Sequence, residues 1–367
     1  MVGRRVIISA IVVYLTVALG CVLNAPGESA LDSTRPMDTG SRAGSLAPTA
    51  HLAELPLRGV CMQIHRVDWM DEYKKSIDEI AKLGADSVLL VVNARMENGS
   101  SSLIYVDVRL TPTPAQLGDL IDHAKKLKLK VVLMPTVLLD KPRGMEWRGT
   151  INPDDWAAWW ESYRSLLYHY CWVAQAHKVD VLVVGSELVS TETKVDEWRK
   201  TISMVRQQFT GMLTYSANWD HYKDIPFWDR LDLIGLNSYY NLGSDEGVTV
   251  AEIQKNWAPI QQKLLEFVHK TRKPLLFLEV GWCNLRNAAS EPWDYTQESE
   301  PIDLDLQRRL YEGFFRSWYG VKELGGFMIW EWPPGDGGLQ NRGYTPEGKP
   351  AEKVLKEWFG KPRWKVE

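Results

Sequence analysis

Residues 180–188 read DVLVVGSEL, an apolar run that closes with a glutamate and a leucine. A continuous apolar run of this length, rich in valine, is typical of a strand that is buried on both faces of a parallel sheet. The longer stretch from Asp154 to His177 precedes it and carries apolar residues at helical spacing. Only Lys178 and Val179 separate the two stretches, so they form one helix and one strand of an alternating pattern.

The same alternation continues along the chain from Leu57 onward and predicts eight strands. They are Leu57 to Ile64, Asp86 to Ala94, Lys130 to Leu138, Asp180 to Leu188, Gly211 to Asn218, Leu231 to Tyr239, Pro274 to Trp282, and Gly325 to Trp332. Most of these stretches are continuously apolar, which indicates a sheet that is covered on both faces.

Helical stretches follow the strands in turn. They are Asp71 to Leu83, Pro114 to Leu127, Asp154 to His177, Val195 to Phe209, a short turn near Ile225 to Asp229, Ala251 to Lys270, Asp303 to Leu324, and Ala351 to Phe359. Eight units in roughly 300 residues fit one (β/α)8 barrel, whereas an open doubly wound sheet usually has fewer strands and a Gly-rich phosphate turn. No G-x-G-x-x-G follows the first strand. The predicted fold class is therefore α/β, a single TIM barrel domain over residues 55–367.

The first 21 residues have the pattern of an export signal. Arg4 and Arg5 precede an uncharged apolar run, and the small residues Gly20 and Cys21 follow it. The run is too short for a membrane-spanning helix, which needs about 20 apolar residues. Two interpretations stay open, a plain secretory signal peptide or a lipoprotein signal whose Cys21 is lipidated and attaches the chain to a membrane. Both predict export, with the protein secreted, periplasmic or anchored at the cell envelope.

The composition of residues 22–54, the overall charge and the cysteine spacing indicate a linker and argue against a nucleic-acid partner, a disulfide framework and a zinc site. The segment 22–54 is rich in Ser, Ala, Pro, Thr and Gly without apolar periodicity, which predicts a flexible linker. The 43 basic and 47 acidic residues are spread through the sequence, so no basic stripe indicates a nucleic-acid partner. Cys61, Cys171 and Cys283 lack paired spacing, so neither a disulfide framework nor a zinc site is predicted.

Polar residues at the strand ends form the candidate site, because barrel enzymes place their chemistry at the C-terminal ends of the strands. The residues at these ends are His65, Asn93, Arg95, Asp140, Glu187, Asn218, Trp219, Asp220, Asn237, Tyr239, Tyr240, Glu279, Trp282, Trp330, Glu331 and Trp332. Glu187 and Glu279 stand out because each closes an apolar strand, the fourth and the seventh, and these strands face each other across an eight-stranded barrel. Hydrolysis of a glycosidic bond needs two such carboxyls, which in retaining enzymes lie about 5 to 5.5 Å apart.

Four strand ends resemble one known family. The motifs are VGSEL at 184–188, SANW at 216–219, DLIGLNSY at 232–239 and LEVGW at 278–282. They resemble glycoside hydrolase family 113, which is known for β-1,4-mannanase activity and belongs to a clan of retaining glycosidases. The resemblance covers residues 58–358 and implies a polysaccharide or oligosaccharide substrate. No cofactor is expected, since the two-carboxylate mechanism requires none.

The resemblance also implies roles for single residues. Glu187 is expected to be the acid/base and Glu279 the nucleophile, with Tyr239 bonded to the nucleophile. Trp330 or Trp332 is expected to form the base of the sugar-binding subsite at the cleaved bond. Ser186 stands where most clan members have Asn, and its shorter side chain is expected to reach the sugar 2-hydroxyl less directly than that Asn.

The other strand-end groups have alternatives that the sequence leaves open. The expected substrate contacts are His65, Asn93, Arg95, Asn218, Trp219, Asn237, Tyr239, Trp282, Trp330 and Trp332. Arg95 either orients the nucleophile or balances Glu97, and Asn237 either meets a sugar hydroxyl or satisfies loop backbone groups. At least two of the four tryptophans are expected to be stacking platforms.

Three other functions remain as alternatives. A metal-dependent hydrolase would share the fold, but its sites usually gather several histidines and only His65 stands at a strand end. A non-catalytic carbohydrate-binding barrel would keep the tryptophans and lose the acid pair. A glycosidase acting on another β-glycan would keep the mechanism and change the substrate.

Overall fold

Eight parallel strands close into a barrel whose order follows the chain. The structure is a computed structural model that describes residues 53–243, 247–296 and 299–366. The strands are β1 Leu57–Ile64, β2 Ser87–Met96, β3 Lys130–Leu139, β4 Val181–Ser186, β5 Met212–Ala217, β6 Ile234–Asn237, β7 Leu275–Val280 and β8 Leu324–Ile329. Pairing of β1 with β8, with Leu57 beside Gly326, closes the ring. The predicted (β/α)8 barrel is confirmed.

Seven α-helices of the described residues surround the barrel. They are α1 Met70–Lys82, α2 Pro114–Lys126, α3 Trp156–Ala176, α4 Val195–Gln208, α5 Val250–Thr271, α6 Leu304–Trp318 and α7 Pro350–Phe359. Between β5 and β6 two short 3-10 turns, Tyr222–Asp224 and Trp228–Arg230, take the place of a helix. The helix predicted to reach Leu324 ends at Trp318 because the chain turns at Gly320, whose φ is 86°. Leu324 then starts β8.

Two apolar layers account for the burial of the strands. Side chains such as Cys61, Val91 and Met134 fill the barrel interior, and a larger layer lies between the strands and the helices. Cys61, Cys171 and Cys283 are all buried free thiols. This double burial explains why the strands read as continuous apolar runs.

Long loops leave the C-terminal ends of several strands and lie on one face of the barrel. The loops after β2 and β3 are joined by backbone hydrogen bonds, from Asn152 N–H to the Gly99 carbonyl at 2.7 Å and from Asp154 N–H to the Ser100 carbonyl at 2.9 Å. The two loops therefore form one connected wall of the barrel mouth.

The export signal and most of the predicted linker, with Cys21, lie outside the described residues. Within the part of the chain that the structure describes, no helix combines the length and apolar character needed to cross a membrane.

Candidate active site

Glu187 follows β4 in a left-handed backbone conformation. Its φ of 52° is one that residues other than glycine rarely adopt. Its N–H donates to the Ser216 carbonyl at 2.9 Å, and the N–H of Leu188 donates to the Tyr215 hydroxyl at 2.9 Å. These bonds to β5 fix the turn and leave the Glu187 carboxyl nearly buried at the barrel mouth. Non-glycine residues held in this way are concentrated at functional sites.

Both carboxylate oxygens of Glu187 have partners. The Asn237 side-chain amide donates to Oε1 at 2.7 Å, and the Arg148 guanidinium lies 2.5 Å from Oε2. The Ser216 hydroxyl donates to Asn237 Oδ1 at 2.8 Å, which agrees with the amide nitrogen facing a group that only accepts. Asn237 is fully buried and bonds Glu187, a partner that the sequence did not predict.

A second buried carboxyl lies behind Glu187. The Tyr215 hydroxyl, which accepts from Leu188, donates to Glu192 Oε1 at 2.9 Å. Burial raises the pKa of Glu192 to about 7. Sequence analysis missed this support, because Tyr215 and Glu192 carry no motif and come together only through the fold.

Glu279 lies within β7 and is buried. The Tyr239 hydroxyl donates to its Oε2 at 2.7 Å. Burial, and after it the charge of Glu187, raise the pKa of Glu279 well above its ordinary range, whereas Arg148 and the Tyr239 hydrogen bond act in the opposite direction. The negative charge of Glu187 therefore favours the neutral form of the Glu279 carboxyl.

The groups at the ends of β1 and β2 line one side of the mouth. His65 is half-buried with its ring beside Trp69, and burial lowers the pKa of the imidazole. Asn93 is buried, and its Oδ1 accepts from the Thr136 hydroxyl at 2.5 Å. Arg95 pairs with Asp140. Its observed partner is thus neither the nucleophile nor Glu97, the two partners expected from the sequence.

Two of the four strand-end tryptophans reach the mouth. Trp219 and Trp330 are half-buried and pack against one small cluster that includes Tyr239 and Tyr344. Gly281 lets the Trp330 backbone approach β7, because a Cβ at Gly281 would lie 2.3 Å from the Trp330 carbonyl oxygen. Trp219 and Trp330 are therefore the strand-end tryptophans with ring surface available beside Tyr239.

The other two tryptophans do not face the mouth, and the expectation that they contact substrate is wrong. Trp282 is 0% exposed and its ring packs edge-on against Tyr311 of α6. Trp332 is 3% exposed, and its indole N–H donates to Glu79 of α1 at 3.1 Å. Trp282 lies two residues after the end of β7, where the alternation of faces along a strand no longer indicates the direction of a side chain.

Three further residues complete the picture. The Asn218 side chain accepts from the Trp219 N–H at 3.0 Å and so closes a local turn. The Ser186 hydroxyl is buried and has no hydrogen-bond partner among the described residues. Glu331 accepts from the Gln63 amide at 3.0 Å, and burial raises the pKa of its carboxyl to about 7. Its observed hydrogen-bond partner is therefore the side-chain amide of Gln63.

Arg148 is the site residue that sequence analysis missed altogether. It lies in the 3-10 turn Arg148–Thr150 of the long β3–α3 loop, where no apolar pattern or strand end marks it. Only the length of this loop gave a signal. No group of three His, Cys, Asp or Glu residues in the described ranges is arranged to hold a metal ion.

Comparisons with known proteins point to one glycoside hydrolase family. The sequence profile of Glycoside Hydrolase Family 113 matches residues 61–349. A family 113 β-mannanase from Alicyclobacillus acidocaldarius, solved in complex with ManMIm, is 29% identical with a TM-score of 0.74, and the match covers 83% of this chain and 96% of that one. A family 113 β-1,4-mannanase complex is 26% identical with a TM-score of 0.76, covering 83% of this chain and 99% of that one.

A more distant structure shares only the fold with this chain. A β-glucuronidase from Ruminococcus gnavus is 12% identical with a TM-score of 0.55, and the match covers 83% of this chain and 50% of that one. No curated protein matches the sequence significantly.

Proposed function

Because the chain belongs to glycoside hydrolase family 113, we propose that this glycoside hydrolase cleaves β-1,4-mannan by a retaining double displacement. The observation that carries the mechanism is the buried pair Glu187 and Glu279, each bonded by one residue from the end of β6. The proposed substrate is supported by the similarity to the two β-mannanase structures described above, at 29% and 26% identity.

The first step transfers the sugar to the protein. Glu187, in its protonated form, gives its proton to the glycosidic oxygen while the Glu279 carboxylate attacks the anomeric carbon, so the carbon–oxygen bond breaks and an ester bond forms. Tyr239 donates its hydrogen bond to Glu279 and so stabilises the attacking carboxylate. In the second step Glu187 takes a proton from water, which attacks the same carbon and releases Glu279.

Sugar binding is assigned to the groups that line the mouth. Trp219 and Trp330 offer apolar rings for the C–H faces of the sugars at the cleaved bond. Trp147 and Trp293, which are 37% and 52% exposed in the loops after β3 and β7, extend the cleft to further sugars. His65, Asn93, Arg95 and Asn218 are proposed to meet sugar hydroxyls beside them.

Hydrolysis of a glycan panel tests the function. The purified chain is incubated with β-mannan, glucomannan, cellulose and xylan, released reducing sugar is measured, and proton NMR records the anomer that forms first. Oligosaccharides from mannan with the β-anomer first are the expected result. Activity on cellulose or xylan alone would keep the mechanism and replace the substrate. Absence of turnover on all four by the folded protein would favour the non-catalytic binding barrel.

Replacing Tyr239 with Phe is expected to lower kcat/KM on β-mannan by about 10- to 100-fold, since a hydrogen bond to a charged group contributes about 1.5–3 kcal/mol. The hydrogen bond favours ionised Glu279, so its loss raises the pKa of that carboxyl. The acid limb of the kcat/KM profile should therefore move to higher pH. Tyr319→Phe, which removes a hydroxyl bonded to the Pro362 carbonyl far from the pair, is the control. An unshifted acid limb in Tyr239→Phe would contradict the assignment of Glu279.

We also propose that the protein is exported and lipidated at Cys21, from the small residues and apolar run before it. Cys21→Ala should abolish incorporation of labelled palmitate and move the protein from the membrane fraction to the soluble fraction of a bacterial host. Cys171→Ala, which removes a buried thiol, should leave the palmitate incorporation and the membrane fractionation unchanged. Equal fractionation of Cys21→Ala and the unmodified sequence would indicate a plain secretory signal.

A further inference from the structure

Arg148 lies against the carboxyl pair from a loop that is firmly attached to its neighbours. The 3-10 turn that contains it packs beside the turn Val189–Thr191, which follows Glu187. The loop is bonded to the β2 wall by the Asn152 N–H and by the Glu146 carboxylate, which accepts from the Gly99 N–H at 3.1 Å. The backbone of Arg148 is thus fixed, and its guanidinium reaches Glu187 from a defined direction.

The guanidinium is only partly used by its known partner. One nitrogen, Nη2, lies 2.5 Å from Glu187 Oε2, while Nε is buried without a hydrogen-bond partner among the described residues. The charge of Arg148 also acts on Glu279 and on Tyr239. Although burial disfavours the cation, the charges of Glu187 and then Glu279 raise the pKa of Arg148, so the guanidinium stays charged beside Glu187.

Titratable or charged groups around this site lie on several elements. They are Arg148 on the β3–α3 loop, Glu187 and Glu192 after β4, Tyr215 on β5, Tyr239 after β6, Glu279 on β7, Glu331 and Tyr344 after β8, and Cys61 on β1. Several of these are acidic, and Arg148 supplies the positive charge that bonds one member of the pair directly.

We propose that Arg148 is a positioning residue that orients the Glu187 carboxyl and keeps a negative charge on the Glu187–Glu279 pair before substrate binds. The inference rests on the proposed function of that pair. An ion pair favours the carboxylate form of Glu187, whereas the first chemical step uses its protonated form. A glycosidic oxygen that reaches Glu187 Oε2 therefore replaces the guanidinium there, and the ion pair belongs to the free enzyme and to the second step.

The pH profile of Arg148→Met separates this role from a structural one. Methionine keeps much of the side-chain volume and removes the charge. Without the nearby cation both apparent pKa values of the pair rise, so both limbs of the kcat/KM profile on β-mannan should move to higher pH by about one unit or more. Activity at the original optimum should fall by about 10- to 100-fold. Arg148→Lys, which restores the charge, should return the optimum most of the way.

Arg143→Met is the matched control. Arg143 lies in the same loop, and its guanidinium pairs with Glu146 at 2.7 Å in an exposed position. Its replacement should leave the pH optimum where it is. The thermal unfolding midpoint of each variant establishes that it is folded, and Arg148→Gln takes the place of Arg148→Met if the methionine variant does not fold.

A titration that needs no turnover keeps the inference apart from the proposed function. Carbon-13 NMR of protein labelled at the glutamate carboxyls, assigned with Glu187→Gln and Glu279→Gln, measures the apparent pKa values of the pair directly. Higher values in Arg148→Met than in the unsubstituted protein support the inference even if no glycan is cleaved. Unchanged carboxyl pKa values in the folded variant, or a loss of activity equal in Arg148→Lys and Arg148→Met with no shift of the optimum, would overturn it.

Discussion

Replacing Glu279 with Ala is expected to lower kcat on β-mannan by about 10⁴-fold or more, because it removes the group that forms the covalent bond to the sugar. The side chain is buried beside Tyr239, so its loss leaves a small space at the anomeric carbon. Azide can enter this space and attack in place of the carboxylate. Turnover of an activated aryl β-mannoside should therefore recover with azide and give the α-mannosyl azide, a product that NMR identifies.

Two variants check this prediction. Glu323→Ala, which removes a carboxylate that pairs with His269 away from the site, should keep its activity and show no response to azide. Glu331→Ala removes the third carboxyl near the mouth. Azide rescue of Glu331→Ala together with an unresponsive Glu279→Ala would move the nucleophile to Glu331.

Replacing Glu187 with Ala is expected to have an effect that depends on the leaving group. Proton transfer to the leaving oxygen contributes about 10²- to 10⁴-fold, so β-mannan hydrolysis should fall by that factor. A dinitrophenyl β-mannoside needs no proton for departure, and its first step should be nearly as fast as in the unsubstituted enzyme. The second step then lacks its base, so a burst of dinitrophenol should precede a slow steady state.

Azide and pH distinguish this variant from Glu279→Ala. Azide attacks the intermediate without needing a base, so Glu187→Ala should release the β-mannosyl azide, the opposite anomer to that from Glu279→Ala. The alkaline limb of the kcat/KM profile should disappear, since that limb reports the acid. Equal losses on mannan and on the dinitrophenyl substrate would contradict the role of Glu187 as acid/base.

Much of the fold could be predicted because a strand that is buried on both faces of a parallel sheet is a continuous run of apolar residues. β1 was predicted at its observed bounds, and the starts of α2 and α4 were also right. The strands from β4 to β7 are shorter than predicted at both ends, because residues such as Leu188 and Trp282 continue the apolar pattern after strand pairing has ended. Hydrophobic residues indicate where the chain is buried, and the buried stretch extends beyond the residues that pair in the sheet.

The candidate site was predicted only in part. Glu187 and Glu279 were found because a carboxyl that closes an apolar strand is rare and marks the barrel mouth. The directions of Trp282 and Trp332 were not, since both lie past the end of their strands, where the alternation of faces no longer constrains a side chain.

The sequence by itself determined the order of strands and helices, the barrel that they form and the two acidic strand ends. Each of these can be recognised from short stretches of the chain, either from the spacing of apolar residues or from a glutamate at the end of an apolar run. Only the tertiary structure decided which groups bond those carboxyls. The Asn237 amide bonds Glu187, and Arg148 reaches the same carboxyl from a loop 39 positions earlier. Such contacts depend on the closing of the barrel, which brings together residues whose separation in the chain carries no pattern.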